Sequence, residues 1–316
     1  MNIRLLVLTL LFSGMIAGCS RPIIQPNDLF DCFVNPSKEK LARLAGNKPD
    51  TAILSHALHS LRASARSGIC KEWLTDTIGL PYLVGYKTPD HISPARLPLV
   101  IYLHGGIGSE RNDKGDSAFM MLIALADTFD LFLASPSANR YVPWWSPAGL
   151  GRILQTLRFM TLHYAIDPDR IFLAGVSDGA TGCYAVANTI PGPFAGFFAV
   201  SGFGGMLPAM GMPLHAANLK RRPIYNVNAG KDRIYPVEQV QQFVAFLQDQ
   251  GVPVISKIYP DEMHGFDYRE KETGTLADFI RTWSRPHDES AALSDAVLPG
   301  MPDNLITWAR SSGLLQ

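Results

Sequence analysis

The stretch Ile171-Phe172-Leu173-Ala174-Gly175-Val176-Ser177-Asp178-Gly179-Ala180 constrains this chain more than any other. Its first residues form an unbroken apolar run without polar alternation, which predicts a strand buried on both faces. The small residues after Gly179 predict a helix, so the chain must pass from strand to helix at Ser177. Gly-x-Ser-x-Gly in this setting holds a serine in a strained conformation, at a cost of roughly 1–3 kcal/mol, with glycines where bulkier neighbours would collide. A strand covered on both faces needs layers on both sides, and the chain from Leu80 supplies them. Apolar runs predict strands over Pro81–Tyr86, Leu99–Leu103, Leu131–Ser135, Ile171–Gly175, Phe197–Ser201, Ile224–Asn228 and Pro253–Tyr259. Helical stretches alternate with them over Ser117–Phe129, Leu150–Tyr164, Ala180–Thr189, Pro236–Gln250 and Thr275–Ser284. Such alternation specifies an α/β class with a mostly parallel central sheet flanked by helices. Hydrophobic residues make up 47% of the chain and charged residues 18%, enough apolar material for that core and too little charge for a disordered chain. Lys+Arg and Asp+Glu balance at 28 each, which argues against a nucleic-acid partner.

With strand before and helix after, Ile166-Asp167-Pro168-Asp169-Arg170-Ile171-Phe172-Leu173-Ala174-Gly175-Val176-Ser177 resembles the α/β-hydrolase fold, in particular the esterases related to polyhydroxybutyrate depolymerases and feruloyl esterases. The resemblance spans roughly Leu80 to Ser284. It implies a nucleophile, an acid and a histidine in that order along the chain. Ser177 takes the first role. Asp232, in the loop after Ile224–Asn228, takes the second, with Asp261 and Asp267 as rivals that lie too close to the histidine for the usual order. His264, in the short loop after Pro253–Tyr259 and before Gly265-Phe266, takes the third, and His215 is its runner-up. The strand Leu99–Leu103 runs into His104-Gly105-Gly106, and the resemblance assigns the oxyanion-hole amides to Gly106 and to Asp178, the residue after the nucleophile. His104 is expected to be structural. Asp178 departs from expectation, because a carboxylate beside the nucleophile opposes a developing oxyanion; its side chain must point away, pair with a cation, or tune something else. The activity so implied is carboxylic ester hydrolysis through an acyl-enzyme, with no metal or organic cofactor. A serine peptidase on the same fold and a non-catalytic surface-binding lipoprotein are the alternatives.

Two loops at the carboxyl edge of the sheet are candidates for the pocket. Pro143-Trp144-Trp145-Ser146-Pro147 offers Trp144 and Trp145 for stacking on substrate. Phe203, Met206, Met210 and Met212 offer an adaptable apolar wall. Simple packing on the body is the alternative for both. His56 and His59 stand three apart, but no third ligand lies nearby, so no metal site is expected.

Residues 1–18 carry one charged side chain, Arg4, then the run Leu5–Phe12, then small residues, as a secretory signal peptide does. The apolar stretch is shorter than the roughly 20 residues of a membrane-spanning helix. Ile16-Ala17-Gly18-Cys19 resembles a bacterial lipobox, which implies acylation of Cys19, membrane anchoring and, in a Gram-negative envelope with Ser20 following, the outer membrane. Export permits disulfides. Cys32 and Cys70 flank a helical segment whereas Cys183 lies in an apolar helix, so Cys32 with Cys70 is the expected pair, free thiols being the alternative. The chain thus divides into a signal peptide (1–18), a tether (19–36), an N-terminal helical segment (37–79), the hydrolase domain (80–286) and a C-terminal extension (287–316), in which Asp303–Arg310 predicts a short helix.

Overall fold

Among the residues that this computed structural model describes (33–34, 51–89, 95–286, 307–309 and 311–312), eight strands form one sheet in the order β1-β2-β4-β3-β5-β6-β7-β8. They are β1 (Ile69–Thr75), β2 (Pro81–Lys87), β3 (Leu97–Leu103), β4 (Phe132–Pro136), β5 (Ile166–Val176), β6 (Gly196–Val200), β7 (Ile224–Ala229) and β8 (Val254–Tyr259). The α-helices between and around them are α1 (Thr51–Ala63), α2 (Gly115–Ala118), α3 (Ile123–Thr128), α4 (Pro147–His163), α5 (Asp178–Thr189), α6 (Ala216–Leu219), α7 (Val237–Asp249) and α8 (Tyr268–Thr282). From β4 across to β8 the neighbours pair in parallel, while β1 with β2 and β2 with β4 pair antiparallel.

Strand β3 is buried from Pro98 to Leu103 and β5 from Ile171 to Gly175, because each face of the sheet meets a hydrophobic layer. On one side Leu99, Ile101 and Leu173 meet α1, α4, α5 and α7 through Leu58, Ile153, Val186 and Val240. On the other, Val100, Tyr102 and Phe172 meet α3 and α8 through Leu125, Leu276 and Phe279. The parallel strands therefore discharge their carboxyl ends at one edge, where ligand sites of open α/β sheets form.

Three expectations change. The 37–79 segment is not wholly helical: α1 is followed by β1, which extends the sheet by antiparallel pairing with β2 from Ile69↔Lys87 to Thr75↔Pro81. As the edge strand, β1 leaves Ile69, Lys71, Trp73 and Thr75 exposed, so it carries no buried apolar run to announce it. The helix expected over Ser117–Phe129 is broken into α2, a 3₁₀ turn at Phe119–Leu122, and α3. The expected disulfide is also corrected at its Cys70 end: Cys70 is a free thiol, its Sγ donating to Ser67 O at 3.4 Å. Cys70 sits in β1, committed to the ladder opposite Tyr86, and Cys183 is free and buried in α5. Cys19 and Cys32, with the signal peptide and most of the tether, lie outside the described residues. Of the C-terminal extension, residues 307–309 are helical, and Trp308 docks on α1 by donating from Nε1 to Ser55 Oγ at 3.0 Å.

A buried ion pair ties α4 to the β1–β2 turn. Arg152 donates from Nε and Nη2 to Asp76 Oδ2 at 2.9 and 2.8 Å, and from Nη1 to Ser137 O at 2.9 Å. Asp76 Oδ1 accepts the backbone N–H groups of Ile78 and Leu80 at 3.0 and 2.9 Å, and both side chains of the pair are wholly buried. The guanidinium lies 4.8 Å from the Tyr82 ring centroid. Helix α4 itself starts where its chemistry favours a start: Ser146 Oγ accepts the Gly149 N–H at 3.0 Å, and Pro147 stands in the first turn.

Candidate active site

Strand β5 ends in a turn that only its glycines permit. Ser177 has φ 56°, the left-handed region that a residue with a Cβ rarely occupies. A Cβ on Gly179 would stand 1.9 Å from Leu103 O, and one on Gly175 would stand 2.3 Å from Gly179 O. Helix α5 starts at once, its first bond running from Thr181 N–H to Ser177 O at 3.1 Å. Ser177 is thereby presented at the carboxyl edge of the sheet, at the N-terminus of a 12-residue helix whose dipole favours negative charge there.

The loops after β7 and β8 bring the other two residues to it. His264 Nδ1 lies 2.8 Å from Asp232 Oδ2, and His264 Nε2 lies 3.0 Å from Ser177 Oγ. An ionised carboxylate accepts only, so Nδ1 carries the proton and donates it to Asp232, leaving Nε2 to accept from the serine hydroxyl. Asp232 cannot turn away, because its Oδ1 accepts the N–H groups of Ile234 and Tyr235 at 2.8 and 3.0 Å. Its side chain is wholly buried while the His264 side chain keeps 22% of its exposure, enough for a substrate or water to reach it. The rivals are engaged elsewhere: Asp261 pairs with Lys231 at 2.9 Å and Asp267 with Arg269 at 2.9 Å, each cation holding its carboxyl below the usual range. His215 is exposed at the start of α6, where its N–H donates to Asn188 Oδ1.

The segment after β3 is pinned peptide by peptide. Trp144 Nε1 donates to His104 O at 2.9 Å. His104 Nε2 accepts the Ala138 N–H at 3.1 Å, so the ring proton is on Nδ1, which donates to Gly105 O at 2.9 Å. Gly105 packs against Ser177, since a Cβ there would lie 2.8 Å from Ser177 Cβ. Ile107 N–H donates to Asp178 Oδ2 at 3.0 Å, and Lys114 Nζ donates to Gly106 O. The N–H groups of Gly106 and Asp178, the expected oxyanion donors, have no acceptor among the described residues. Asp178 thus points away from the serine and takes a backbone donor.

Burial pushes the His104 pKa down from 6.5 to about 4, so the ring is neutral, as its accepting Nε2 requires. Below pH 6.5 the unfolded chain takes up a proton that the folded chain refuses. This contribution to stability is therefore complete above about pH 6.5 and lost as pH falls toward about 4, a change on the order of 3 kcal/mol. Urea titrations at about pH 7 and about pH 4.5 should show this loss in the wild type and a flatter dependence in His104→Asn; equal pH dependence in both would remove the assignment.

Of the two tryptophans, the reading of Trp144 needs correction. Trp144 is fully buried, edge-on to the His104 ring at 5.2 Å and against Gly182 of α5, so it supports the loop and has no face to offer a substrate. Trp145 is half-buried and packs on the core. Phe203 is likewise a core residue, meeting Tyr235 and Phe243, whereas Met206 is exposed. Tyr235 carries no motif that singles it out in sequence. It is buried with its ring 5.7 Å from that of His264, and burial pushes its phenol upward, so it is a neutral wall behind the imidazole.

Known proteins share parts of this architecture. Residues 151–284 match the Phospholipase/Carboxylesterase family. A stretch of 122 residues is 28% identical to poly(3-hydroxyalkanoate) depolymerase C of Paucimonas lemoignei, covering 34% of this chain and 28% of the depolymerase. The match thus spans under a third of that relative. Among solved structures, a thermostable esterase is similar with a TM-score of 0.55 at 20% identity, over 69% of this chain and 63% of the esterase. The acylaminoacyl peptidase of Pyrococcus horikoshii is similar with a TM-score of 0.54 at 15% identity, over 73% of this chain and 44% of the peptidase. The fold is the α/β-hydrolase fold.

Proposed function

We propose that this chain is a serine hydrolase that cleaves carboxylic esters through an acyl-enzyme. One observation carries the reading: Ser177 Oγ, His264 and Asp232 form an unbroken hydrogen-bonded relay at 3.0 and 2.8 Å, beside two N–H groups without acceptors among the described residues. Ser177 Oγ attacks the carbonyl carbon as its proton passes to His264 Nε2, and the resulting oxyanion is held by the Gly106 and Asp178 amides. Collapse breaks the bond to the alcohol, which leaves with the proton from His264. Water then attacks the acyl carbon, giving its proton to Nε2, and the acid departs as Ser177 recovers the proton. Asp232 stays ionised and stabilises the imidazolium in both halves.

Incubation with a fluorophosphonate probe and peptide mapping tests this, together with hydrolysis of a short activated ester, a hydroxyalkanoate oligomer and an anilide. Labelling at Ser177 with turnover of an ester supports the reading; faster turnover of the anilide favours a peptidase, and an unlabelled, inert chain favours the binding role. The depolymerase relative is the reason for including the oligomer.

The reading includes export and anchoring through acylated Cys19, supported by the apolar run and Ile16-Ala17-Gly18-Cys19. Two or more acyl chains hold a protein stably on a bilayer. Cys19→Ala should leave the membrane fraction or remain unprocessed, and a variant that is processed and sediments with membranes would overturn the anchor.

A further inference from the structure

We propose that Lys114 and Asp178 are positioning residues that together clamp one peptide unit, Gly106–Ile107, and so set the oxyanion hole. The inference rests on the serine hydrolase reading. The C=O of Gly106 and the N–H of Ile107 belong to the same planar unit and point in opposite directions. Lys114 Nζ donates to the first and Asp178 Oδ2 accepts the second at 3.0 Å, so the unit is gripped at both ends.

The grip matters because this segment has little order of its own. Gly105, Gly106 and Gly108 are three glycines in four residues, and Gly106 has φ 65°. Glycine ranges freely over both halves of backbone space, so the sequence alone does not aim the Gly106 N–H. That N–H belongs to the Gly105–Gly106 peptide, whose carbonyl accepts from His104 Nδ1. The clamp fixes the next peptide, and with both planes held the φ and ψ of Gly106 between them are set. An oxyanion donor acts only when aimed at the place where charge develops.

Both clamping groups are themselves held. Lys114 precedes Gly115, whose N–H donates to the buried Ser137 Oγ at 2.8 Å, and that hydroxyl donates to Leu83 O at 2.7 Å. Asn112 O accepts the Leu83 N–H at 2.9 Å, which fastens the same segment to β2. Asp178 is fixed as the first residue of α5. The arrangement also answers the electrostatic objection to a carboxylate at this position. Its charge is directed onto a backbone N–H, and the Lys114 ammonium stands at the opposite end of the same peptide.

The test compares the full-length wild type with Lys114→Met, Lys114→Arg, Asp178→Ala and Asp178→Asn. The readouts are kcat and KM on a short activated ester, inhibition by an alkyl boronic acid, fluorophosphonate labelling and thermal unfolding. Lys114→Met and Asp178→Ala should each lower kcat by about tenfold or more with KM within about twofold, less than the loss of a donor itself. The boronic acid, whose tetrahedral adduct puts an anionic oxygen in the hole, should weaken by the same factor. Lys114→Arg should restore most of the rate, and Asp178→Asn should stay within about threefold of wild type because its amide oxygen accepts the same bond. The double variant should lose less than the product of the two single losses, since both residues act on one peptide. Unchanged kcat in Lys114→Met and Asp178→Ala overturns the clamp, as does a loss matched by lower thermal stability and not rescued by Arg or Asn. A wild type that neither labels at Ser177 nor hydrolyses esters overturns the function and the clamp together.

Discussion

Ser177→Ala should lower ester hydrolysis by about 10⁴-fold or more while leaving the unfolding temperature unchanged or higher, because the hydroxyl is the proposed nucleophile and makes no packing contact that the fold depends on. His264→Ala should lose a comparable amount, and the double variant should be no worse than either, since the residues act as one unit. Asp232→Asn is the more informative change. Asp232 Oδ1 is occupied by two backbone N–H groups, so an asparagine that keeps those bonds turns its Nδ2 toward His264 Nδ1. Donor would then face donor, and the imidazole would move its proton to Nε2, the atom that must accept from Ser177. Activity should fall by about 10³–10⁴-fold, somewhat less than for the other two. Steady-state kinetics on folded variants decide the assignment: wild-type rates in Asp232→Asn and His264→Ala alongside an inactive Ser177→Ala would mean that the partners are misassigned.

The largest expected effect on stability lies away from this site, in Asp76. Removing its carboxylate with Asp76→Ala strands the Arg152 guanidinium, which is wholly buried, with Ser137 O and the Tyr82 ring as its remaining company. Two backbone N–H groups, of Ile78 and Leu80, lose their acceptor as well. The loss should be about 3–5 kcal/mol in urea titrations, large against a typical total of roughly 5–15 kcal/mol. Asp76→Leu combined with Arg152→Met should recover much of it, since the penalty comes from an uncompensated charge rather than from the absence of a pair. A change below about 1 kcal/mol in Asp76→Ala would show that water or another group already satisfies Arg152.

The parts of this molecule written as continuous apolar runs were legible. Strands β2 to β4 and β6 to β8 start and stop within a residue or two of the runs that predict them, and β5 extends further back through Asp167, Pro168 and Asp169. The three residues of the relay were legible for a related reason: each follows a strand by a short loop, and a parallel sheet gathers such loops at one edge. Strand β1 escaped because an edge strand with Lys71 and Glu72 at its centre has no buried face on one side. Of the supports of the loop after β3, the structural role of His104 was legible, while the contacts of Trp144 and Asp178 escaped for a different reason. Trp144 reaches a carbonyl 40 residues earlier and Asp178 an amide 71 residues earlier, and no local pattern encodes either contact. The clues were chemical: a carboxylate beside Ser177 must find a partner away from it, and an indole N–H rarely goes without an acceptor, so a buried tryptophan next to a predicted loop asks which carbonyl it holds.

Three successive peptides, from His104 to Ile107, are each tied to a side chain. Water can also stabilise an alkoxide, but it does so by turning many dipoles that were oriented otherwise a moment before, and that rearrangement is part of the barrier in solution. In the reaction proposed for this site the dipoles have been turned already, during folding, and are held in that orientation. The reorganisation term is thereby moved out of the chemical step and into the stability of the protein. A loop of glycines is suited to this only because it is bound from outside: the same backbone freedom that lets it approach the serine would, untethered, reinstate the disorder of a solvent shell.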